Sequence, residues 1–411
     1  MQRAPRRSAI AAALLFALPA LPSTAATLGD AVTSALTLAE QLPRAAALRD
    51  ESAAIRAQAA SLTAEDPAVR LKGLSDRFTE NDGAYELEAM LDLPMWLPGQ
   101  RDARQALADA VAGQADGLSL LLHWRMAGLV REAVWDAALA HGRLRQAAAA
   151  LTAARSLDEN VAKRSAAGEL ARMDLVTAQQ ETLAREVELA AAQVDYDKAI
   201  AVYVQLTGQP RLPEPLNQPA VPPTLSEPLT LSPDHPLLAG AGGDVGRARA
   251  ARERVAADRH GHPLLSFGAK RARDDRSLDA VDALQLEVSI PSGLKRQHAP
   301  ELAGAERALT DQLAELQQLR REAERALNGA VLARRGAEQA LTVAERRASL
   351  AQQALSITRR AFDLGEADLT VLLRAEEGAR EANLDLALRR LETGRALARL
   401  NQALGLMPWT E

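Results

Sequence analysis

Proline is absent from two long tracts of the sequence, Gly99 to Gln209 and Glu301 to Met407, and both tracts are rich in Ala, Leu, Glu, Gln and Arg. Because proline lacks the N–H that a helix interior needs and clashes with the preceding turn, such tracts favour continuous helix. Each tract is too long for one ordinary globular helix. Phe, Trp and Tyr make up only 3% of the 411 residues, which favours narrow helical layers over a thick core. The sequence therefore predicts a mainly α protein with long, closely packed helices.

A proline-rich segment separates the two tracts. Nine of the twenty prolines lie between Pro210 and Pro236. Segments of this composition are extended rather than folded. We expect a linker at 210–236 between two units, 27–209 and 237–411.

The two units resemble each other in sequence. Three pairs of segments recur in the same order, about 195 residues apart: "LDLPMWLPGQRDARQALADA" at 91–110 with "VSIPSGLKRQHAPELAGA" at 288–305, "GELARMDLVTAQQE" at 168–181 with "GEADLTVLLRAEE" at 365–377, and "VQLTGQP" at 204–210 with "QALGLMP" at 402–408. Three pairs in register indicate an internal duplication. Each repeat is predicted to contain a helix, a strand pair, a very long helix and a shorter helix.

The N-terminus has the layout of a secretory signal peptide. Arginines at 3, 6 and 7 precede an apolar run from Ala9 to Leu18 and small residues ending at Ala26. We expect cleavage after residues 1–26, and the apolar run is too short for a spanning helix. The remaining chain has 46 basic and 54 acidic residues, which argues against nucleic acid as a partner. It has no cysteine, so it offers no disulfide, thiol zinc site or lipidated cysteine.

The sequence gives bounds for two of the helices. The first helix is predicted from Thr27, a suitable N-cap, to about Glu65. The long helix of the second repeat is predicted from His298 to Ala361, roughly 95 Å at 1.5 Å per residue. Its coiled-coil seam is assigned to Leu302, Ala305, Leu309, Leu313 and Leu316.

Two β-hairpins are predicted, at 68–94 and 263–291. In "YELEAMLDLP" and "ALQLEVSIP" apolar residues alternate with acids and amides, which is the period of a strand. One apolar face and one polar face suit the strands of a membrane barrel with a water-filled lumen. A soluble hairpin with one buried face has the same pattern. Four strands cannot close a barrel, and lipid does not tolerate an open sheet edge, so the membrane interpretation requires several chains to share one barrel. The scarcity of aromatic residues counts against a barrel.

Two glycines, Gly168 and Gly365, interrupt the long helices at equivalent places. We interpret each as a turn at which a long helix ends and a shorter one runs back. Glu366 and Asp368 lie beside one turn, where a threefold assembly would form a ring of carboxylates that favours cations. The alternative role, for Asp174 and Asp368, is to cap the following helix.

Other chemistry has weak support in the sequence. His260 and His262 in "RHGHP" are weak candidates for a metal site, because no third ligand is near in sequence. No nucleophile elbow, P-loop, dinucleotide fingerprint or HExxH motif is present, so the sequence predicts neither an enzyme nor a cofactor.

In order and spacing, these segments resemble the TolC-like outer-membrane efflux channels over the whole chain after residue 26. The pieces that carry the resemblance are "LGDAVTSAL", "LDLPMWLPGQR", "VSIPSGLKR", "AFDLGEADLTVLLRAE" and "ARLNQALGLMP". The resemblance implies a homotrimer in which each chain gives four strands to a twelve-stranded barrel in outer-membrane lipid, with the helices forming a periplasmic coiled-coil tunnel. The short length and simple termini look most like the heavy-metal-efflux branch.

The resemblance also implies partners and a docking site. The partners would be a periplasmic adaptor protein and an inner-membrane RND-type pump. The turns between long and short helices would form the periplasmic tip that meets the adaptor and constricts the pore. The residues concerned are Gly168, Glu169, Asp174, Leu175, Gly365, Glu366, Asp368, Leu369 and Leu372, with Glu366 and Asp368 at the constriction.

The expected function is a passive trimeric exit duct of a tripartite efflux system in the outer membrane. Heavy-metal cations are one possible cargo. The alternatives are a type I secretion or drug efflux duct of the same fold, or a soluble periplasmic coiled-coil protein whose hairpins are adhesive.

Overall fold

A computed structural model describes residues 27–213 and 231–408. Within these ranges the chain forms seven α-helices: α1 (Leu28–Leu38), α2 (Leu42–Ala60), α3 (Gln100–Ala166), α4 (Arg172–Thr207), α5 (Pro236–Ala257), α6 (Lys295–Asp363) and α7 (Leu369–Ala403). The predicted signal peptide at 1–26 and residues 214–230 of the predicted linker lie outside the described residues.

Four strands form one antiparallel sheet in the order β1-β2-β3-β4: β1 (Ala68–Ser75), β2 (Tyr85–Pro94), β3 (Leu264–Arg273) and β4 (Val281–Ser289). β1 and β2 come from the first repeat, β3 and β4 from the second, and β2 pairs with β3 over its whole length. The two hairpins therefore join in one sheet although about 170 residues separate them in sequence. The predicted fold class, mainly α with a small β part and an internal duplication, is confirmed.

The first helix differs from the prediction, because it is divided in two. α1 ends at Leu38, and Glu40 adopts a positive φ of 48° before α2 begins at Leu42. Pro43 sits in the first turn of α2, where its missing N–H costs no helical hydrogen bond. The cap is as expected: the Thr27 hydroxyl accepts a hydrogen bond from the Asp30 N–H at 3.1 Å.

The long helices α3 and α6 contain 67 and 69 residues, so each is about 100 Å long. α6 begins at Lys295, before Pro300, which lies in its second turn. Pro300 therefore does not mark the start of α6, although a proline at that position removes one helical hydrogen bond.

The seam of α6 also differs by one residue from the prediction. The more enclosed positions are 302, 305, 309, 312, 316, 319 and 323, which alternate steps of three and four. Leu313 is 38% exposed, and Gln312 takes the seam position. The heptad spacing decides which face of α6 is enclosed, so Leu313, one position off this spacing, points outward.

The helices pack as two hairpins that contact each other. α3 packs on α4, α6 packs on α7, and α3 also contacts α7. The shorter α2 and α5 lie along the half of α3 nearer the sheet, and α5 also packs on α6. No described helix is both long enough and apolar enough to cross a membrane.

Candidate functional site

The turn after each long helix is built in the same way. Gly168, after α3, and Gly365, after α6, both have φ of 78°, a conformation that glycine adopts without strain. The next N–H groups close the helix: Glu169 donates to the Arg164 carbonyl at 2.9 Å, and Glu366 donates to the Ala361 carbonyl at 2.8 Å. This is a Schellman ending, which satisfies carbonyls that the helix leaves free.

The two turns lie together at one end of the molecule. Val161 and Ala178 of the first repeat are buried against Phe362, Leu369 and Leu372 of the second. The Arg164 guanidinium lies over the Phe362 ring, 4.7 Å from its centroid. We call this end the tip, and its apolar cluster joins the two helical hairpins.

The sequence-predicted tip residues divide by exposure. Gly168, Glu169, Gly365, Glu366 and Asp368 are exposed, and Asp174 and Leu175 are half-buried. A correction concerns Leu369 and Leu372, which were expected on the docking surface. They are 3% and 2% exposed, because both pack into the tip cluster, so they support the surface from inside.

The capping roles of the two aspartates also differ from each other. The Asp174 carboxylate accepts a hydrogen bond from the Ala171 N–H at 3.1 Å, at the start of α4. Asp368 occupies the N-cap position of α7, but its side chain makes no capping hydrogen bond. The Asp174 carboxylate therefore caps the start of α4, while the Asp368 carboxylate is exposed at the tip.

At the other end of α3 and α6, one face of the sheet carries two apolar rows, and the Arg271–Asp282 ion pair, with 3.3 Å between the charged atoms, lies beyond them on the same face. Directly paired residues share a face, so Val69, Leu91, Phe267 and Leu286 form one row and Leu71, Ala89, Ala269 and Leu284 the next. Leu284 is 92% exposed, and Leu71 and Leu286 are 75% exposed. A contiguous exposed apolar face of this kind marks a surface made for lipid or a partner.

The opposite face carries an ionic network that sequence reasoning missed. Lys72 of β1 and Lys270 of β3 flank Glu88 of β2, and their Nζ atoms lie 2.9 and 2.7 Å from the Glu86 carboxylate. Both lysines are also within 3.7 Å of Glu88. The signal was present in Arg70 and Lys72, at alternate positions of β1, and in Lys270 of β3, which lie opposite the acid-bearing strand β2.

A second group of polar residues lies beside this network. The Ser266 hydroxyl donates to the Asp92 carboxylate at 2.5 Å, and Arg70 donates to the same carboxylate at 3.0 Å. Arg70 also reaches towards Glu287, with 3.8 Å between the charged atoms. The face opposite the apolar rows therefore carries paired charges and is largely polar, as the interior of a membrane barrel is.

Solved structures show the same architecture. The outer membrane protein VceC of Vibrio cholerae superposes with a TM-score of 0.68 at 18% identity, covering 92% of this chain and 96% of VceC. CusC gives 0.68 at 17% identity, covering 92% of each chain. The CmeC outer membrane channel of Campylobacter jejuni gives 0.65 at 13% identity, covering 99% of this chain and 96% of CmeC.

The chain has the fold of the TolC-like outer membrane channels. The likeness is one of structure, since no family model and no curated protein matches the sequence. In the TolC-like fold of this chain, α3 and α6 separate the sheet from the tip.

The two weak metal candidates have structural partners in this TolC-like fold. His262 hydrogen-bonds through Nδ1 to the Gln100 side chain at 3.0 Å and packs edge-on to Trp96. His260 accepts a hydrogen bond from the Arg259 Nε at 3.0 Å. Among the residues that the structure describes, no group of three or more His, Cys, Asp or Glu could hold a metal ion.

Proposed function

We propose that this chain is one subunit of a passive trimeric duct in the outer membrane. The observation that carries the proposal is the sheet, which has two exposed apolar rows on one face, an ionic network on the opposite face and two unpaired edges, β1 and β4. In lipid the unpaired edges must be closed, and four strands are too few to close on themselves. Three chains would supply twelve strands, with the apolar rows facing lipid and Lys72, Lys270, Glu86 and Glu88 facing the lumen.

The helices complete the duct on the periplasmic side. Since α3 and α6 are each about 100 Å long, they would carry the passage far from the membrane. The helical part therefore lies in the periplasm and the sheet in the outer membrane. The chain itself performs no catalysis in this function, and the partner pump supplies the energy.

The tip is the proposed contact with a periplasmic adaptor protein, which in turn binds an inner-membrane RND-type pump. The exposed surface consists of Gly168, Glu169, Gly365, Glu366 and Asp368, bordered by Asp174 and Leu175. Three copies of Glu366 and Asp368 would surround the axis as the pore constriction and favour cations. Heavy-metal cations are the proposed cargo, on the sequence resemblance alone. Type I secretion and drug efflux are the alternative uses of the same duct.

The sheet provides a matched pair of variants that test this function. Leu284→Arg places a charge on the apolar face, and Gln285→Arg places the same charge one residue away on the ionic face. An arginine facing the middle of a bilayer costs about 2–4 kcal/mol in such barrels. We expect Leu284→Arg to lower strongly the amount of heat-modifiable oligomer in the outer-membrane fraction, and Gln285→Arg to leave it near the wild-type amount.

Conductance in planar bilayers is the second measurement. Purified wild-type protein and Gln285→Arg are expected to form water-filled channels. The competing function, a soluble periplasmic coiled-coil protein with adhesive hairpins, predicts that the chain is released by lysis without detergent. That release, together with equal behaviour of the two variants, would disprove the channel.

A further inference from the structure

A cavity of about 730 Å³ lies between α3, α6 and the last turns of α7. Small residues from all three helices make room for it: Gly128 of α3, Gly329, Ala330 and Ala333 of α6, and Ala398 of α7. It lies near the middle of α3 and α6, away from both the tip and the sheet. Its volume and its mostly apolar walls are those of cavities that hold small organic molecules.

Hydrogen bonds within the chain hold the wall of the cavity between α3 and α7. The Trp124 Nε1 donates to the Gln402 carbonyl at 2.9 Å, and the Gln402 Nε2 donates to the Trp124 carbonyl at 2.8 Å. The Arg131 guanidinium donates to the Gln402 side-chain oxygen and, at 2.8 Å, to the Leu406 carbonyl. Since these bonds need no ligand, the cavity is preformed, with the Trp124 indole in its wall.

Part of the charge around the cavity is balanced within the chain. The Glu132 carboxylate lies 2.6 Å from the Arg395 guanidinium and 2.7 Å from that of Arg399. Asp136 adds a second acid, 2.8 Å from the Arg395 guanidinium. These two acids and two arginines compensate one another.

Two further arginines of the cavity have no acidic partner in the described part of the chain. Arg131 is 3% exposed, its hydrogen bonds go to uncharged oxygens, and its Nε is buried without a hydrogen-bond partner there. Burial lowers the pKa of Arg131 to about 10, so its guanidinium stays charged at neutral pH. Arg125 is exposed at the edge of the cavity. Because buried charges are ordinarily paired, this excess of positive charge favours an anion as the ligand.

The cavity opens on the face of the helical layer that α1 does not cover. α1 packs on Val130 of α3, and Leu231 packs on Leu327 of α6 and Leu400 of α7. Two positions after these three residues, on the same helices, come the cavity residues Glu132, Gly329 and Gln402. Two positions are about 200° around a helix, so the cavity lies on the opposite face. Elements added inside a closed ring would fill the passage, so in a duct α1 and Leu231 lie outside and the cavity faces the lumen.

We propose that this cavity is a cargo site in the wall of the duct for a small organic anion with an aromatic body. The apolar walls and the Trp124 ring cover the body, and Arg125 and Arg131 attract the acidic group. This inference rests on the proposed function and names the class of cargo for its drug-efflux alternative.

Two glycines of α6 provide a matched pair of variants. Gly329 lines the cavity, whereas Gly336, seven residues further along the same helix, does not. Both are exposed, and a Cβ added at either would meet no atom within 4 Å, so leucine is compatible with the fold at both positions. Gly329→Leu fills part of the cavity, and Gly336→Leu adds the same side chain outside it.

Equilibrium dialysis of the purified full-length oligomer in detergent measures the binding of 1-naphthalenesulfonate. We expect saturable binding by wild type and equal binding by Gly336→Leu. Gly329→Leu should raise the dissociation constant about tenfold or more, because leucine occupies the space of the naphthalene ring. The cation 1-naphthylmethylammonium has the same ring and should bind wild type about tenfold more weakly than the anion. Arg125→Gln should reduce this preference for the anion.

Conductance in planar bilayers tests whether the cavity faces the lumen. At concentrations that saturate the site, 1-naphthalenesulfonate should lower the conductance of wild type and Gly336→Leu, and should lower that of Gly329→Leu much less. Binding without any change of conductance would contradict a site in the lumen.

The outcomes separate this inference from the proposed function. If the oligomer conducts but binding is not saturable, or is equal in Gly329→Leu and Gly336→Leu, the cargo site is disproved and the channel stands. Equal affinity for the anion and the cation overturns the assigned class of cargo. Binding by monomers but not by oligomers shows that a second copy covers the cavity, and also overturns the inference. Absence of a conducting oligomer overturns the proposed function and the cargo role together, even where the probe binds.

Discussion

Gly365 shows how one residue sets the direction of the chain at the tip. Its φ is 78°, and a Cβ added there would meet no atom within 4 Å. A substitution therefore acts through the backbone alone and not through a clash. The left-handed conformation costs an ordinary L residue about 1–2 kcal/mol, and asparagine tolerates it better than other non-glycine residues.

We predict that Gly365→Val loosens the tip turn while trimers remain in the outer membrane. The variant should be cleaved faster at the turn by limited proteolysis and should lose export, measured as resistance to a transported compound. Gly365→Asn is the matched control and should retain most of both properties. Unchanged cleavage and unchanged resistance in Gly365→Val would contradict the assignment of Gly365 to the tip.

At the scale of the elements, a carboxylate clamp joins the two repeats where α3 meets α7. Glu132 of α3 lies 2.6 Å from the Arg395 guanidinium and 2.7 Å from that of Arg399. The hydrogen bond from Arg399, with further bonding and attraction from Arg395, lowers the pKa of the Glu132 carboxyl below its usual value, against a smaller effect of burial. Since the folded state binds this proton less readily than the unfolded state, the clamp stabilises the fold at neutral pH.

The pH dependence of the stability follows from the lowered pKa of Glu132. The stabilisation is fully present above the ordinary glutamate pKa, about 4.3, and is lost as the pH falls through the lowered folded value. We predict that Glu132→Gln unfolds at a lower temperature than wild type at pH 7, followed by helix circular dichroism, and that the difference shrinks below about pH 4.

The exposed pair of Arg49 and Asp116 provides the comparison. Asp116→Asn should have a smaller effect at pH 7, because exposed ion pairs contribute little. A Glu132→Gln difference that stays constant from pH 7 to pH 3 would show that the clamp does not stabilise through its charge.

At the scale of the whole molecule, the sheet cannot be stable by itself in water. One face exposes two apolar rows, and both edges are unpaired. The helical hairpins differ, because each has its own packed partner helix and the tip cluster joins them. The helices thus have packed partners within one chain, whereas under the proposed function other copies complete the sheet.

Refolding from urea should separate the two parts. In aqueous buffer we expect helix circular dichroism to return while the chain stays monomeric or aggregates through the sheet. In detergent micelles we expect an SDS-resistant, heat-modifiable oligomer whose yield rises with chain concentration. An oligomer of the same kind formed without detergent, or a yield independent of concentration, would contradict a shared barrel.

Local patterns predicted much of the fold. Helix lengths follow from the proline-free tracts, the turns from Gly168 and Gly365, and the strands from their period of two. These features depend on residues close in sequence, so the order of residues along the chain is sufficient to predict them. The local patterns did not predict the break at Glu40 or the outward orientation of Leu313. In both cases the packing of the helices selects between neighbouring positions in the sequence.

The sequence alone therefore determined that the chain is a duplicated set of long helices with two hairpins and two glycine turns. Only the tertiary structure decided that both turns share one buried cluster containing Leu369 and Leu372, and that Lys270 of the second repeat binds Glu86 of the first. These contacts join residues almost 200 positions apart. Local periodicity carries no information on which distant segments meet, since that depends on the path of the whole chain.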